Sequence, residues 1–322
     1  MISPLAYVDS AAKIGKNVTI QPFAFIEGNV EIGDDCIIMS GAKILHGTRM
    51  GKGNKVHHNA VLGAEPQDFH YTGESSMLII GDNNDIRENV VVSRATHAGS
   101  ATRIGNENYL MDGVHLCHDV QIGNHCVLGI KTTVAGECQI DDCTILSSNV
   151  ILHQYCHIGS WVLIQAGCRI SKDVPPYIIM NGNPAEYHGI NAAVLQHKHQ
   201  VTERVLRHIV NAYRLVYQGN FSVQDALQKI EDQVPMSDEI HNIINFIKAV
   251  DQVVPGFASY ETLLYSPELK FYSNRVKMDA DLNTNIRRLH CPGDFSGWTR
   301  GRMTASVMGV LMGREIIRQE NI

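Results

Sequence analysis

The sequence predicts a mainly β fold with an α-helical tail: a solenoid of hexapeptide repeats followed by a small C-terminal helical domain. Three observations carry this expectation. An aliphatic residue recurs at nearly every sixth position from Ile2 to Ile170, and a small residue usually stands four places after it. Beyond Pro175 and Pro176 that period stops and helical periodicity takes over.

Stepping by six from Ile2 meets Val8, Ile14, Ile20, Ile26, Ile32, Ile38 and Ile44. The same register later holds Ile104, Leu110, Leu116, Ile122, Leu128, Val134 and Ile140. Of the 29 positions in the register, 25 are Ile, Leu or Val. A period of six is neither the two of a strand nor the 3.6 of a helix, so the chain reads as a solenoid whose repeats stack on one another. The aliphatic residue and the small residue (Val18, Ala24, Val30, Ala42, Thr132) point inward. Five of the eight cysteines, Cys36, Cys126, Cys138, Cys156 and Cys168, occupy the small position, where cysteine acts as a compact buried apolar side chain. No Cys-x-x-Cys pair occurs, and this usage fits a reducing cytoplasm.

This pattern resembles the left-handed parallel β-helix family of acyltransferases. The resemblance implies three hexapeptides per triangular coil, with residue i beneath residue i+18 at the strand spacing of about 4.8 Å. Residues 64–77 and 94–101 place Asp68, Glu74 and Ala98 at inward phases, so each segment is expected to leave the coil as a loop. Such loops commonly carry function.

The expected domains are a β-helix over 1–190, a helical domain over 191–257 and an extension over 258–322 with no assigned role. GNPAEYHGIN (182–191) reads as a turn-rich connector. Thr202 and Glu203 open an amphipathic helix with Val205, Leu206, Ile209, Val210, Tyr213 and Val216 on its apolar side. Ser222 with Asp225 resembles a capping box, and Ser237 precedes a helix marked by Ile240, Ile243, Ile244 and Ile247. With a net charge of −6, general nucleic-acid binding is not expected. No apolar run reaches the length of a membrane span, about 18 residues or more. The opening residues also lack the basic and apolar stretches of a secretory signal.

Gly113-Val-His-Leu-Cys-His-Asp119 carries the candidate chemistry. His115 and His118 flank the inward Leu116 and are expected to face outward. Stacking by 18 puts His118 in a column with Ser100, Gly136, Gln154 and Lys172. It puts His115 with His97 and Thr133, and His153 above Cys117 and Ala135. An imidazole can take a proton from a hydroxyl, a carboxylate such as Asp119 can orient it, and a backbone N–H at Gly136 can hold an oxyanion. Gly136 also leaves room beside His118 for a reacting group. Three rival readings stand beside this one. His97, His115 and His118 would bind zinc, as in γ-class carbonic anhydrases. Cys117 would act as a covalent nucleophile. The solenoid would be a scaffold without enzymatic activity.

HLCHDVQIGNHCVLG, TVAGECQIDDC, ILHQYCHIG and SKDVPPYIIMNGNPAEYHGIN, with EPQDFHYTGE upstream, follow in order the UDP-N-acetylglucosamine 3-O-acyltransferases of lipid A synthesis. The resemblance runs from residue 1 to about 257. It implies transfer of an (R)-3-hydroxyacyl chain from acyl carrier protein to the 3-hydroxyl of UDP-N-acetylglucosamine by a cytoplasmic homotrimer, with no metal or diffusible cofactor. His118 matches the general base, Asp119 its partner and Gly136 the oxyanion donor. Gln67, Asp68, His115, His153, Gln154 and Asn191 match residues that line the substrate cleft, and Ala166 matches the ruler of acyl length. The chain departs from the family at Glu137, where a histidine is usual. It departs again at Ala193, His197 and Lys198, where an acidic residue and two arginines are usual. Lys198 is still the expected cation for a substrate phosphate. A paralogue that acylates another nucleotide sugar is the alternative these departures leave open.

Overall fold

The computed structural model describes residues 1–197, 201–219 and 221–253. Lys198 and the extension 258–322 lie outside the described residues. Short strands, mostly of two residues, form three sheets of nine, eight and ten strands, and up to Ile170 each sheet takes every third strand in the sequence, all parallel. This is the left-handed parallel β-helix that the six-residue period predicts. The register aliphatics are its core: Ile26, Ile38, Ile44, Leu62, Leu110, Leu116, Leu128 and Leu146 have no exposed surface. Burying each stabilises the fold by roughly 1.5–3 kcal/mol. All five small-phase cysteines are buried as expected.

From Asn17 to Gly167, outside the two interruptions, each hexapeptide turns a corner at the residue just before its small position. The corner backbone is left-handed there, as at Asn17, Asn29, Asp35, Asn59, Asn83, Asn89, Asp119, Glu137 and Tyr155. Asparagine recurs because it tolerates positive φ better than other residues with a Cβ. Corner N–H groups bond to the neighbouring coil, as Asp35 does to the Lys16 carbonyl at 2.9 Å.

In the middle coils the inward small position is asparagine instead. Asn54 Oδ1 accepts the Asn84 N–H at 2.9 Å, Asn84 Oδ1 accepts the Asn108 N–H at 2.9 Å, and Asn108 Oδ1 accepts the Cys126 N–H at 2.8 Å. Their amide nitrogens donate to the carbonyls of Gly81, Gly105 and Gly123. A buried amide is stable only with its partners in place, and this ladder satisfies each one.

The two interruptions change the stacking. Val61 pairs with Val91, 30 residues on, and Val91 pairs with His115, 24 on; His115 then pairs with Thr133 at the ordinary 18. The inserts are therefore whole multiples of six. They preserve the hexapeptide phase but break the 18-residue rule. Val91, not His97, lies under His115, so the expected His97–His115 and Ser100–His118 columns do not form.

The solenoid does not end at Pro176. Ile178–Asn181 continues the sheet beside Leu163–Ile164, and Glu186–Ile190 folds back antiparallel on it. The segment expected as a turn-rich connector thus also supplies the second strand of a hairpin. Four helices follow: α1 (Ala192–His197), α2 (Glu203–Gln218), α3 (Val223–Gln233) and α4 (Asp238–Val253). Thr202 and Ser222 cap α2 and α3 through their hydroxyls, as the sequence predicts. Val210, expected on the buried side of α2, is exposed, and Ala212 is buried instead. The helices pack on the last coil. Tyr213, fully buried, donates to the Pro176 carbonyl at 2.5 Å, and Asn242 donates to the Tyr177 hydroxyl at 2.9 Å. No helix among the described residues is long and apolar enough to cross a membrane.

Replacing Asn84 with Ala strips the Asn108 N–H and the Gly105 carbonyl of their buried partners. The expected cost is about 2–4 kcal/mol, read as a lower urea midpoint. An unchanged midpoint would mean that the ladder contributes nothing to stability.

Candidate active site

His118 and Asp119 follow Leu116 around a corner of the coil. Adjacent strand residues diverge, but Asp119 is the corner residue, with φ of 60°. The turn brings its carboxylate back to the ring: His118 Nδ1 lies 3.0 Å from Asp119 Oδ2. The Asp119 N–H is fixed by the Thr102 hydroxyl at 2.8 Å.

His118 points away from the coil interior as expected, yet it is only 6% exposed. Two loops cover it. From the 64–77 loop, Asp68 Oδ2 reaches to 3.3 Å from His118 Nε2. From the 94–101 loop, the Thr96 hydroxyl lies 2.8 Å from His118 Nδ1 and 2.7 Å from Asp119 Oδ2, and the Thr96 N–H donates to Asp119 Oδ2 at 2.9 Å. Arg94 ties the loops together. Its guanidinium donates to the Gly63 carbonyl at 3.0 Å and the Tyr71 hydroxyl at 2.7 Å, and it pairs with Glu65 at 3.3 Å. Ser76 also bonds to the Ala95 carbonyl.

The carboxylates stay ionised through different balances. Burial pushes the Asp119 pKa up, but the Thr96 hydroxyl and N–H and the His118 ring outweigh it, and the net shift is down. The N–H and ring of His70 lower the pKa of Asp68. In both cases the stabilisation from the charged form is present above the ordinary carboxylate range and is lost as pH falls through the lowered value. The Cys117 thiol is pushed up by burial, away from the thiolate.

Gly136 sits one coil on. A Cβ there would lie 2.5 Å from His118 Cε1 and 2.6 Å from Nε2. The missing side chain therefore makes room for the imidazole itself, rather than for a reacting group as expected. The Gly136 N–H makes no hydrogen bond among the described residues.

The remaining expected residues divide. His115, half-buried, shares the strand that leads into His118, and burial lowers its pKa. His153 stands two coils on in the neighbouring column, beside exposed Gln154. Gln67 is exposed next to Asp68, and Ala166 is exposed on the last full coil. Asn191 does not join the group around His118. It is 2% exposed, and its amide donates to the Trp161 carbonyl where α1 begins. No group of three metal-ligating side chains converges among the described residues.

Two participants escape a reading of the sequence alone. Thr96 falls in an interruption, where no repeat phase assigns it a direction. Arg169 aims Nε and Nη2 at His153 Nε2, at 3.1 and 3.0 Å. That contact leaves the His153 ring proton on Nδ1 and adds a cation to this face of the coil. Only Arg169 left a signal in the sequence: three coil steps of 18 residues place it in the column of His115.

A family model for the second domain of UDP-N-acetylglucosamine O-acyltransferases matches residues 173–254. The bacterial transferase hexapeptide matches 11–46, 29–64 and 101–136. The acyl-[acyl-carrier-protein]--UDP-N-acetylglucosamine O-acyltransferase of Halorhodospira halophila is 36% identical over 247 residues, 76% of this chain and 95% of that protein. That of Sulfurovum is 34% identical over 255 residues, covering 79% and 97%. The crystal structure of the UDP-N-acetylglucosamine acyltransferase from Bacteroides fragilis matches with a TM-score of 0.76 at 51% identity, covering 77% of this chain and 97% of that one. The Acinetobacter baumannii structure matches at 0.73 and 32%, covering 76% and 95%.

The clash at Gly136 generates a prediction. Gly136→Ala has a backbone that accepts a side chain, so the variant should fold while its methyl displaces the His118 ring. Any transfer chemistry based on His118 should fall by about 10²-fold or more. Full activity with an unmoved ring in a crystal structure would contradict this geometry.

Proposed function

The chain belongs to the family of UDP-N-acetylglucosamine O-acyltransferases, and on that footing we propose how its own residues carry out the reaction. The activity is transfer of an acyl chain from acyl carrier protein to UDP-N-acetylglucosamine. The chain transferred is an (R)-3-hydroxyacyl group, the acceptor is the sugar 3-hydroxyl, and the step is the first of lipid A synthesis. The protein works as a cytoplasmic homotrimer.

The observation that carries the mechanism is the contact of His118 Nδ1 with Asp119 Oδ2 at 3.0 Å. A carboxylate there holds the ring proton on Nδ1 and leaves Nε2 with a free lone pair. Nε2 takes the proton of the sugar hydroxyl as its oxygen attacks the thioester carbonyl. The Gly136 N–H, otherwise unused, donates to the oxyanion that forms. As the tetrahedral intermediate collapses, the C–S bond breaks and the sulfur leaves with the proton held on Nε2. Asp68 faces Nε2 at 3.3 Å, so a hydroxyl that approaches Nε2 from beside this pair is within reach of both, and Asp68 is placed to accept a hydrogen bond from the sugar. Gln67, His115, His153 and Gln154 line the approach. Lys198 and Arg169 are the cations for substrate phosphate, and Ala166 limits the acyl chain.

Direct transfer needs no acyl-enzyme, and a thiol whose pKa is raised by burial is a poor nucleophile at neutral pH. His118→Ala is expected to lower transfer by at least about 10²-fold, the usual scale for a general base. Cys117→Ala should retain activity. The assay supplies (R)-3-hydroxyacyl carrier proteins of several lengths with UDP-N-acetylglucosamine. Near-complete loss in Cys117→Ala, or full activity in His118→Ala, would overturn the mechanism. Transfer to a different nucleotide sugar only would favour the paralogue reading that Glu137 and His197 leave open.

A further inference from the structure

Three donors meet on one oxygen beside the proposed base. Asp119 Oδ2 lies within 3.0 Å of His118 Nδ1, the Thr96 N–H and the Thr96 hydroxyl. Thr96 Oγ1 is in turn 2.8 Å from His118 Nδ1, so Nδ1, Oγ1 and Oδ2 close a triangle. Thr96 is 4% exposed and His118 6%, and water does not compete freely for these contacts.

Proton counting fixes the directions. The threonine hydroxyl has one proton and the carboxylate has none, so the hydroxyl donates to Asp119 Oδ2. Its lone pairs are then left for Nδ1. An unprotonated Nδ1 would set its lone pair against both Oδ2 and Oγ1, whereas an Nδ1–H donates to both. Within this triangle, the single arrangement in which every contact is attractive has the ring proton on Nδ1. Two acceptors on different elements hold that N–H, and this fixes the ring plane as well as the tautomer. The Thr96 N–H further anchors Oδ2, which otherwise hangs on a corner residue.

We propose that Thr96 is a positioning residue of the reaction, acting through His118 and Asp119 and touching no substrate atom. This rests on His118 being the base. It also gives the 94–101 insert a purpose: the six extra residues bring a hydroxyl from outside the repeat to the one edge of the imidazole that the coil leaves half-supported. Arg94 and Ser76 fasten the insert to the first loop, so Thr96 and Asp68 approach opposite edges of the same ring from one connected unit.

The test uses the full chain and four variants: Thr96→Val, Thr96→Ser, His118→Ala and the double variant His118→Ala with Thr96→Val. Thr96→Val keeps the shape but removes the hydroxyl. Its kcat should fall about 10-fold or more, with the KM for both substrates unchanged. Thr96→Ser restores the hydroxyl and should stay within about 3-fold of the parent. In the His118→Ala background, Thr96→Val should cost nothing further, because the group it positions is gone. Wild-type kcat in Thr96→Val, equal losses in both backgrounds, or a Thr96→Ser loss as large as that of Thr96→Val would each overturn the proposal. The His118→Ala single variant separately tests the base itself, so a failure of that assignment is read apart from a failure of this one.

Discussion

Every coil of this protein turns on a residue held at positive φ. Left-handed backbone costs a residue with a Cβ on the order of 1 kcal/mol or more, and here it recurs at intervals of six. The outlay is recovered because most corners send their N–H to the coil below, as Asp35, Asn59 and Glu137 do, and each swings the next side chain into the core. The same constraint builds the site. At Asp119 the corner returns a carboxylate to the ring of the residue before it, a contact that an extended strand forbids. Asp119, Glu137 and Tyr155 are successive members of one corner column, so the candidate site stands on a run of corners.

The coil supplies half of the site and the loops supply the rest. From the repeat come His118, Asp119, the bare backbone at Gly136 and, farther along, His153. From outside it come Asp68 and Thr96. Arg94, buried and charged, binds one loop to the other through two carbonyl and hydroxyl contacts and one carboxylate. A buried guanidinium is costly unless its donors are engaged, and these partners keep both loops in register with the coil. The dyad is therefore rigid on the coil side and strapped on the loop side, the arrangement a preorganised site requires.

Much of this was legible in the sequence, for identifiable reasons. The hexapeptide phase survives any insert that is a multiple of six, so the core residues from Ile20 to Ile170 could be assigned through both interruptions. The stacking partners could not, because the same inserts of 12 and 6 residues shift every column that crosses them. This displaced His97 and Ser100 from their expected places. Thr202 and Ser222 were readable because a cap is a local event. The strand Glu186–Ile190 was not, since its only partner is the preceding strand and the sequence just before it, Gly182 to Ala185, reads as a turn. Stacking by 18 brought His118 and Gly136 together with Asp119 beside them, and the resemblance matched roles to all three; the reason for the glycine, a ring filling the absent side chain's space, required coordinates.

The proposed chemistry depends on where the His118 ring carries its proton. Nitrogen-15 spectra of the histidine-labelled protein, with the His118 signals identified by their loss in His118→Gln, test this directly. In the neutral ring the account predicts a protonated Nδ1 and an Nε2 with the shift of a free lone pair. A proton on Nε2 would contradict it, because the nitrogen facing Asp68 and Gly136 would then be a donor and unable to accept the hydroxyl proton.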